Sequence, residues 1–330
     1  MTNAVISQPT PATQKSVSFA SASDTREQVA RLVELAEGVY GFVSDFDPNC
    51  GFIVGDDGVL LIDTRATPTL ARELRDAVAS VTDKPIKWVF LTHYHAVRVL
   101  GASAFADATI ISSAQTNQWI NERGDADFAS EAGRFPRLFN GIDEIPGLTR
   151  PHMTFEGSLD LWFGSRKIEL RHFGAGHSFG DSVCWLPEEK ILFSGDLVEN
   201  RCGVYAGDGY LRAWSRTLEH LQSLNAETLI PGRGAALRDA AACRAAIDGT
   251  RRFVQTVIDT VQQGIARQLP LKACYELTLQ TMKPEFGDWP VFQHVLPFDV
   301  VRAYEELTGT EHPTIWTAER DVELWNLLNA

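Results

Sequence analysis

Thr-His-Tyr-His-Ala-Val-Arg, residues 92–98, follows directly after the apolar run Trp-Val-Phe-Leu of residues 88–91. Two histidines separated by one residue, in a loop where a strand ends, can turn both imidazoles towards one ion. Neutral imidazole is a good ligand for Zn²⁺. The stretch therefore indicates a metal site with His93 and His95 as its first two ligands. A lone His-x-His pair has low specificity, so the prediction depends on what surrounds it.

Four further turns place polar residues at the ends of strand-like runs. Functional side chains gather at the carboxyl ends of strands in layered α/β proteins. The glycine-rich turn at 174–181 presents a third histidine, and the turn at 231–234 reads Pro-Gly-Arg-Gly. In chain order, the residues that these four turns present are Asp63, His177, Asp196 and Arg233.

In these motifs and in their order, the chain resembles the metallo-beta-lactamase-fold hydrolase superfamily over about residues 36–235. The resemblance implies an α/β (α+β) fold, a four-layer αβ/βα sandwich. It also implies that His93, His95 and His177 bind a first metal, with Asp196 beside it. Asp63 is expected to orient the site from behind the ligands, because ligating imidazoles usually need a carboxylate or carbonyl partner.

The second metal site of that family is degenerate in this chain. The resemblance places Val97, Arg98 and Arg233 at three of its four ligand positions, and only Asp196 remains. Valine has no lone pair and arginine stays protonated, so neither can bind a metal. We therefore predict one Zn²⁺ per chain. The two guanidinium groups are expected to hold Asp196 and to bind an anionic or carbonyl oxygen of the substrate.

Together these expectations predict a mononuclear zinc-dependent hydrolase. A zinc ion held by three histidines, with one open position, lowers the pKa of its bound water to roughly 7. The hydroxide would attack a carbonyl-type centre in a lactone, ester, amide or thioester, and the arginines favour a substrate with a carboxylate. Asp196 is either a fourth ligand or the acceptor of the water's proton. The predicted catalytic residues are Asp196, Asp63, Arg98 and Arg233.

Two other interpretations stay open. A mononuclear iron oxygenase, resembling the persulfide dioxygenases of the same superfamily, would use His93, His177 and Asp196 as its ligands and leave His95 without a role. In a catalytically inactive binding scaffold, the two arginines would fill a metal site that no longer binds an ion. A buried trio of imidazoles is costly without an ion, which favours a metal-binding protein.

The remaining sequence divides into three parts. Residues 1–24 are rich in Ser, Thr, Ala, Gln and Pro, which predicts a flexible tail, and Asp24 is expected to cap a short helix through Leu35. Residues 25–235 form the metallo-beta-lactamase-like domain. Residues 236–330 show helical periodicity and predict a C-terminal helical region that shapes the pocket or a dimer contact.

Two residues outside the motifs are candidates for substrate contacts. Tyr205 lies on a glycine-rich loop after Asp196, and His294 lies in an aromatic, proline-bounded segment at 289–297. Each has a structural alternative, because such loops are often connections and such histidines are often buried for packing. Specificity is expected to reside in residues 113–150, helical around 114–122, and in the C-terminal helices.

The composition excludes several classes of partner. The 330 residues carry a net charge of −13, and the isoelectric point is about 5.1. Such a field repels nucleic acids and anionic membranes, which leaves a small molecule as the expected substrate. Five scattered cysteines predict reduced thiols. With no run of ~20 apolar residues and no apolar core of a secretion signal, the expected location is the cytoplasm.

Overall fold

The computed structural model describes residues 18–329, which contain twelve strands and eight α-helices. The strands are β1 (Arg31–Ala36), β2 (Val39–Val43), β3 (Cys50–Val54), β4 (Val59–Ile62), β5 (Ile86–Phe90), β6 (Thr109–Ser113), β7 (Met153–Phe155), β8 (Ser158–Phe163), β9 (Arg166–His172), β10 (Ser182–Leu186), β11 (Ile191–Phe193) and β12 (Thr228–Ile230). The helices are α1 (Pro68–Ala79), α2 (Ala96–Val99), α3 (Ala114–Arg134), α4 (Leu211–Ser223), α5 (Ala240–Ala266), α6 (Leu271–Phe286), α7 (Phe292–Leu307) and α8 (Ala318–Asn329).

The strands form two sheets. The first has the order β1-β2-β3-β4-β5-β6-β7, antiparallel from β1 to β4 and parallel from β4 to β7. The second has the order β12-β11-β10-β9-β8 and is antiparallel except for the parallel pair β11 and β12. The parallel pairs bring the ends of β4 and β5 to one sheet edge, and those of β11 and β12 to another.

Three groups of buried apolar side chains fix the order of the layers. One group, with Leu74 and Trp119, packs α1 and α3 against the first sheet. A second, with Phe90 and Leu170, fills the space between the two sheets. The third, with Trp214, packs the helices from α4 onwards against the second sheet. This confirms the predicted α/β class with its four-layer αβ/βα sandwich and C-terminal helices.

The N-terminal part differs from the expectation. Residues 1–17 of the predicted tail lie outside the described residues, whereas Phe19 packs edge-on against the rings of His294 and Trp325. The helix predicted to reach Leu35 is wrong, because residues 31–36 form β1. This strand pairs with β2 across a turn in which Gly38 has a positive φ of 71°.

Helices form much of the structure, but none within residues 18–329 has both the length and the apolarity needed to cross a bilayer. The helix predicted around 114–122 runs much further, to Arg134. Its N-terminus is capped by Ser113, whose hydroxyl accepts a hydrogen bond from the backbone N–H of Thr116. The extra length places the end of α3 beside the site described next.

Candidate metal site

The loops at the strand ends bring the predicted ligands together. Asp63 follows β4, His93 and His95 follow β5, His177 lies between β9 and β10, and Asp196 follows β11. All five side chains are buried. Asp63 adopts a left-handed backbone conformation with φ of 57°, a strained geometry for a residue with a side chain. Strain of this kind is typical of functional loops.

The three histidines form a compact cluster. Their ring centroids are 4.7 to 5.0 Å apart, and one nitrogen of each ring lies within 4.8 Å of the others. His177 Nε2 is 2.9 Å from His95 Nδ1. His93 Nε2 is buried and has no hydrogen-bond partner within residues 18–329. Three ring nitrogens thus converge on one point.

In His177 and His95, the ring nitrogen that faces away from the cluster lies beside a hydrogen-bond acceptor. His177 Nδ1 lies 2.8 Å from the backbone carbonyl oxygen of Tyr205, to which it can only donate. His95 Nε2 lies 3.4 Å from a carboxylate oxygen of Asp208 and 3.8 Å from one of Asp127. These partners fix the ring orientations and leave Nε2 of His177 and Nδ1 of His95 directed at each other.

A chain of two hydrogen bonds fixes the ring of His93. Its Nδ1 lies 3.0 Å from the Thr92 hydroxyl, and that hydroxyl donates to Asp63 at 2.8 Å. Because the hydroxyl hydrogen is used on Asp63, the Thr92 oxygen accepts from His93 Nδ1. Burial raises the pKa of Asp63 to about 6, against the opposing charge of Arg98. Asp63 is therefore linked to His93 through Thr92 and lies behind the cluster.

The charges around the cluster suit a cation at its centre. Burial lowers the pKa of His177 to about 3 and that of His93 well below its ordinary value, so both are neutral ligands at pH 7. Burial also disfavours the charged form of His95, but Asp127 and Asp208 outweigh it and raise its pKa to about 9. The two carboxylates therefore stabilise a positive charge here, whether a proton or a metal ion. The donor set fits a metal.

Asp196 faces this cluster and is held by two arginines. Its Oδ2 lies 3.7 Å from Nε2 of both His93 and His177, and accepts a hydrogen bond from Arg233 at 2.9 Å. Its Oδ1 accepts from Arg98. Burial opposes ionisation, but the two guanidinium groups hold the pKa of Asp196 well below its usual range. The carboxylate is therefore ionised and fixed.

The two arginines differ in accessibility. Arg98 has an exposed fraction of 0%, and besides Asp196 it donates to the backbone carbonyls of Asn49 and Gly232. The substrate contact expected for Arg98 is incompatible with this burial, while its expected hold on Asp196 is present. Arg233 has a side chain that is 14% exposed, and it also donates to Glu199 at 2.9 Å.

A narrow cavity of about 30 Å³ opens onto the cluster. The predicted residues that line it are His95, His177, Asp196, Tyr205 and Arg233, beside side chains from residues 24–47, α3 and 291–295. His294 does not line it. Its ring packs 4.2 Å from that of Phe135, and neither ring nitrogen has a hydrogen-bond partner within residues 18–329. This corrects the substrate contact predicted for His294.

Helix α3 contributes residues to the site that the sequence motifs did not predict. Asp127 and Glu131 accept hydrogen bonds from the backbone N–H groups of Ala96 and Val97, at 2.7 and 2.9 Å, and so fix the loop that carries the His-x-His pair. Arg134, one turn further on, lines the cavity. The spacing of four and three residues puts these charges on one helix face, a signal visible in the sequence.

The comparisons with known proteins agree with this geometry. Residues 43–233 match the family model described as metallo-beta-lactamase superfamily. The type 2 metallo-beta-lactamase of Bacillus cereus is 27% identical over 199 residues, 58% of this chain and 70% of that protein. The type 2 enzyme of Pseudomonas aeruginosa is 27% identical over 198 residues, 58% of this chain and 72% of that protein.

A solved metallo-beta-lactamase from Pontibacter korlensis has the same fold, with a TM-score of 0.55 and 20% identity, covering 68% of this chain and 99% of that one. The residues matched by the family model make up more than half of the chain and include every strand-end turn of the site. The chain therefore belongs to the metallo-beta-lactamase superfamily, whose members are mostly metal-dependent hydrolases.

Proposed function

We propose that this protein is a mononuclear zinc hydrolase that cleaves a carbonyl-type bond, in a lactone, ester, amide or thioester, of a small substrate. The observation that carries the proposal is the convergence of three histidine nitrogens beside a cavity, with arginines where a second metal would need ligands. When bound there, Zn²⁺ supplies a Lewis acid and lowers the pKa of a coordinated water.

The protein groups around this point have separate tasks. His93, His95 and His177 would hold the ion through the nitrogens that face one another. Asp196, ionised and 3.7 Å from two of these nitrogens, adds a fixed negative charge beside the ion and is placed to act as a fourth ligand. Arg233 keeps that carboxylate in position.

The surroundings of Asp196 support one ion rather than two. Arg98 and Arg233 each place a guanidinium nitrogen against one of its oxygens, so both oxygens already have a cationic partner. A second divalent cation at this carboxylate would face two fixed positive charges. Val97 turns no donor atom towards it.

The orientation of His95 supports zinc over the iron alternative. A two-histidine, one-carboxylate centre would leave His95 aside, yet its Nδ1 lies 2.9 Å from His177 Nε2 and its ring is oriented by Asp208. A three-histidine set is the more usual zinc arrangement. The same oriented cluster argues against an inactive scaffold, which would not need it.

The metal content of the full-length protein tests the proposal. Elemental analysis after dialysis is expected to give about one zinc per chain, and none for His93→Ala. His220→Ala, which changes a histidine on α4 away from the cluster, serves as the control and is expected to keep its zinc. Two zinc ions per chain, or one iron, would contradict the proposed centre.

Hydrolysis tests the activity separately. The zinc-loaded protein is expected to cleave at least one of a panel of 4-nitrophenyl esters, aryl thioesters and aliphatic lactones. His93→Ala should lose that activity, and His220→Ala should keep it. A zinc-loaded protein that cleaves none of them would overturn the proposed hydrolase while leaving the metal site intact.

A further inference from the structure

We propose that Arg134 binds a carboxylate of the substrate, so that the ligand of the cavity is a small molecule with an apolar body and one carboxylate group. The substrate class rests on the proposed function, but the binding site for the carboxylate does not require catalysis. Arg134, on α3, thus takes the carboxylate-binding role that the sequence predicted for Arg98 and Arg233.

The guanidinium group of Arg134 is buried, and within residues 18–329 only one of its three nitrogens donates a hydrogen bond. Its side chain is 3% exposed, and its carbon Cζ lies 4.7 Å from the ring centre of Phe298 and 5.1 Å from that of Tyr205. Its Nε donates to Ser130 at 3.1 Å and lies 3.4 Å from Asp321. Within residues 18–329, neither terminal nitrogen has a hydrogen-bond acceptor. A planar pair of N–H donors is therefore left at the cavity wall.

The other arginines near the cavity are already neutralised. Arg137 donates to both carboxylate oxygens of Asp47 and to Asp24. Arg233 is shared by two carboxylates, those of Asp196 and Glu199. Arg134, in contrast, has one carboxylate within 4 Å among the described residues, that of Asp321 on its Nε side, while Glu131 and Asp127 lie further away. Its two terminal nitrogens donate no hydrogen bond within residues 18–329.

The position of Arg134 suits a substrate that reaches the metal site. The Tyr205 ring lies between the two, with its centre 5.7 Å from that of His95 and 6.1 Å from that of His177. A ligand held by Arg134 would extend along this ring. The cavity wall also includes five apolar side chains, those of Phe46, Phe135, Leu138, Val291 and Val295. An apolar body between the carboxylate and the scissile bond fits such a wall.

The chemistry favours a carboxylate over a phosphate. Two N–H groups in one plane match the two oxygens of a carboxylate, which gives a bidentate, charge-assisted contact. Asp24, Asp47 and Glu131 also line the cavity, and their negative charges repel a doubly charged group more than a singly charged one. A monoanion is thus the better fit.

The test compares an acid with its neutral isostere. Calorimetry measures the binding of 3-phenylpropanoate and 3-phenylpropanamide to the full-length protein, first loaded with zinc and then after its removal by a chelator. We expect the acid to bind about tenfold more tightly than the amide in both forms. The metal-free form is essential, because a carboxylate can also bind zinc directly.

Variants assign the preference to one residue. Arg134→Gln is expected to remove the preference for the acid, and Arg134→Lys, which keeps the charge but not the fork, to reduce it. The control is Arg320→Gln. Arg320 also stacks on an aromatic ring, 3.7 Å from Trp316, but donates to Thr314 and Glu305 away from the cavity. This control should keep the preference.

Each outcome decides between the alternatives. Preference for the acid that survives in both Arg134 variants, or that appears only with zinc bound, would overturn the role of Arg134. Failure of the wild-type protein to bind either compound would overturn the assigned ligand class. Circular dichroism confirms folding, and Arg134→Lys keeps the test valid if the glutamine variant is unfolded. Acid preference without any hydrolysis would uphold Arg134 and refute only the hydrolase.

Discussion

Among single residues, His95 has the most strongly charged surroundings of the three histidines. Its outward nitrogen faces the carboxylates of Asp208 and Asp127, whereas those of the other two face a hydroxyl and a backbone carbonyl. A carboxylate behind an imidazole increases its basicity and fixes its tautomer. Asp208 is itself well placed for this task, because it also accepts a hydrogen bond from the Tyr205 hydroxyl at 3.1 Å.

Asp208→Asn is therefore expected to weaken zinc binding by about 10- to 100-fold. The amide keeps the shape of the side chain but removes the negative charge behind His95. Competition with a chromophoric chelator at pH 7.5 measures the affinity. Asp248→Asn, on the surface of α5 and part-exposed beside Arg251, is the matched control. Equal zinc affinity in the wild type and Asp208→Asn would refute a role for Asp208 in orienting the ligand.

The single-residue features explain which site residues the sequence could predict. A ligand at the end of a strand is recognisable, since His93 and Asp196 each follow an apolar run and His177 lies in a glycine-rich turn between two strands. Asp208 and Asp127 could not be found in this way, because their roles depend on a loop and a helix that meet only in the folded chain. Arg98 was correctly expected beside Asp196, but its complete burial is a property of packing, not of its motif.

Among the elements, α7 holds the loop that carries Tyr205. Pro297 lies inside this helix and lacks the N–H that would bond one turn back. Asp299, just beyond it, accepts a hydrogen bond at 2.6 Å from the backbone N–H of Ala206. The other oxygen of Asp299 is buried without a partner within residues 18–329, and burial raises the pKa of this carboxyl well above its usual value.

This burial predicts a pH dependence of stability. Above about pH 3.8 the unfolded chain releases the proton of Asp299 while the folded chain retains it, so the folded protein loses stability as the pH rises towards the raised pKa. Asp299→Asn keeps the acceptor for Ala206 but cannot ionise. Urea unfolding is expected to show the variant more stable than the wild type at pH 7.5, with a smaller difference at pH 4.5. A difference independent of pH would contradict this.

Two elements show why the sequence prediction was incomplete. Residues 31–36 form β1 because they pair with β2, a contact that no local helix signal reveals. In α3, the charged residues Arg123, Asp127, Glu131 and Arg134 lie on one face, which by pattern alone resembles a face exposed to water. That face is buried, because α8 packs on α3 and places Asp321 beside Arg134.

At the scale of the whole molecule, the C-terminal helices share a core with the second sheet. Leu192 and Leu229 from strands β11 and β12 belong to the same buried group as Phe253 of α5 and Leu296 of α7. Val291 and Val295 extend this region to the cavity wall. The division at about residue 235, drawn from a change of periodicity, therefore marks a change of secondary structure within a continuous apolar core.

Removal of residues 236–330 is therefore expected to prevent cooperative folding of the remainder. It would expose the apolar side chains that α5 to α7 cover, at a cost of about 25 cal/mol for each Å² of apolar surface left in water. Thermal unfolding followed by circular dichroism provides the measurement. Co-expression of residues 236–330 as a separate chain is the control and should restore a transition. A truncated chain that unfolds cooperatively alone would disprove the dependence.

The arginine pair at Asp196 has a consequence for metal exchange. Two positive charges of this centre belong to the polypeptide and cannot be removed by a chelator or by scarcity of zinc in the medium. If only one ion is bound, withdrawal of metal passes through no half-loaded species. Loss and recovery of metal would then each follow a single phase, and Asp196 would already be in place when the ion returns.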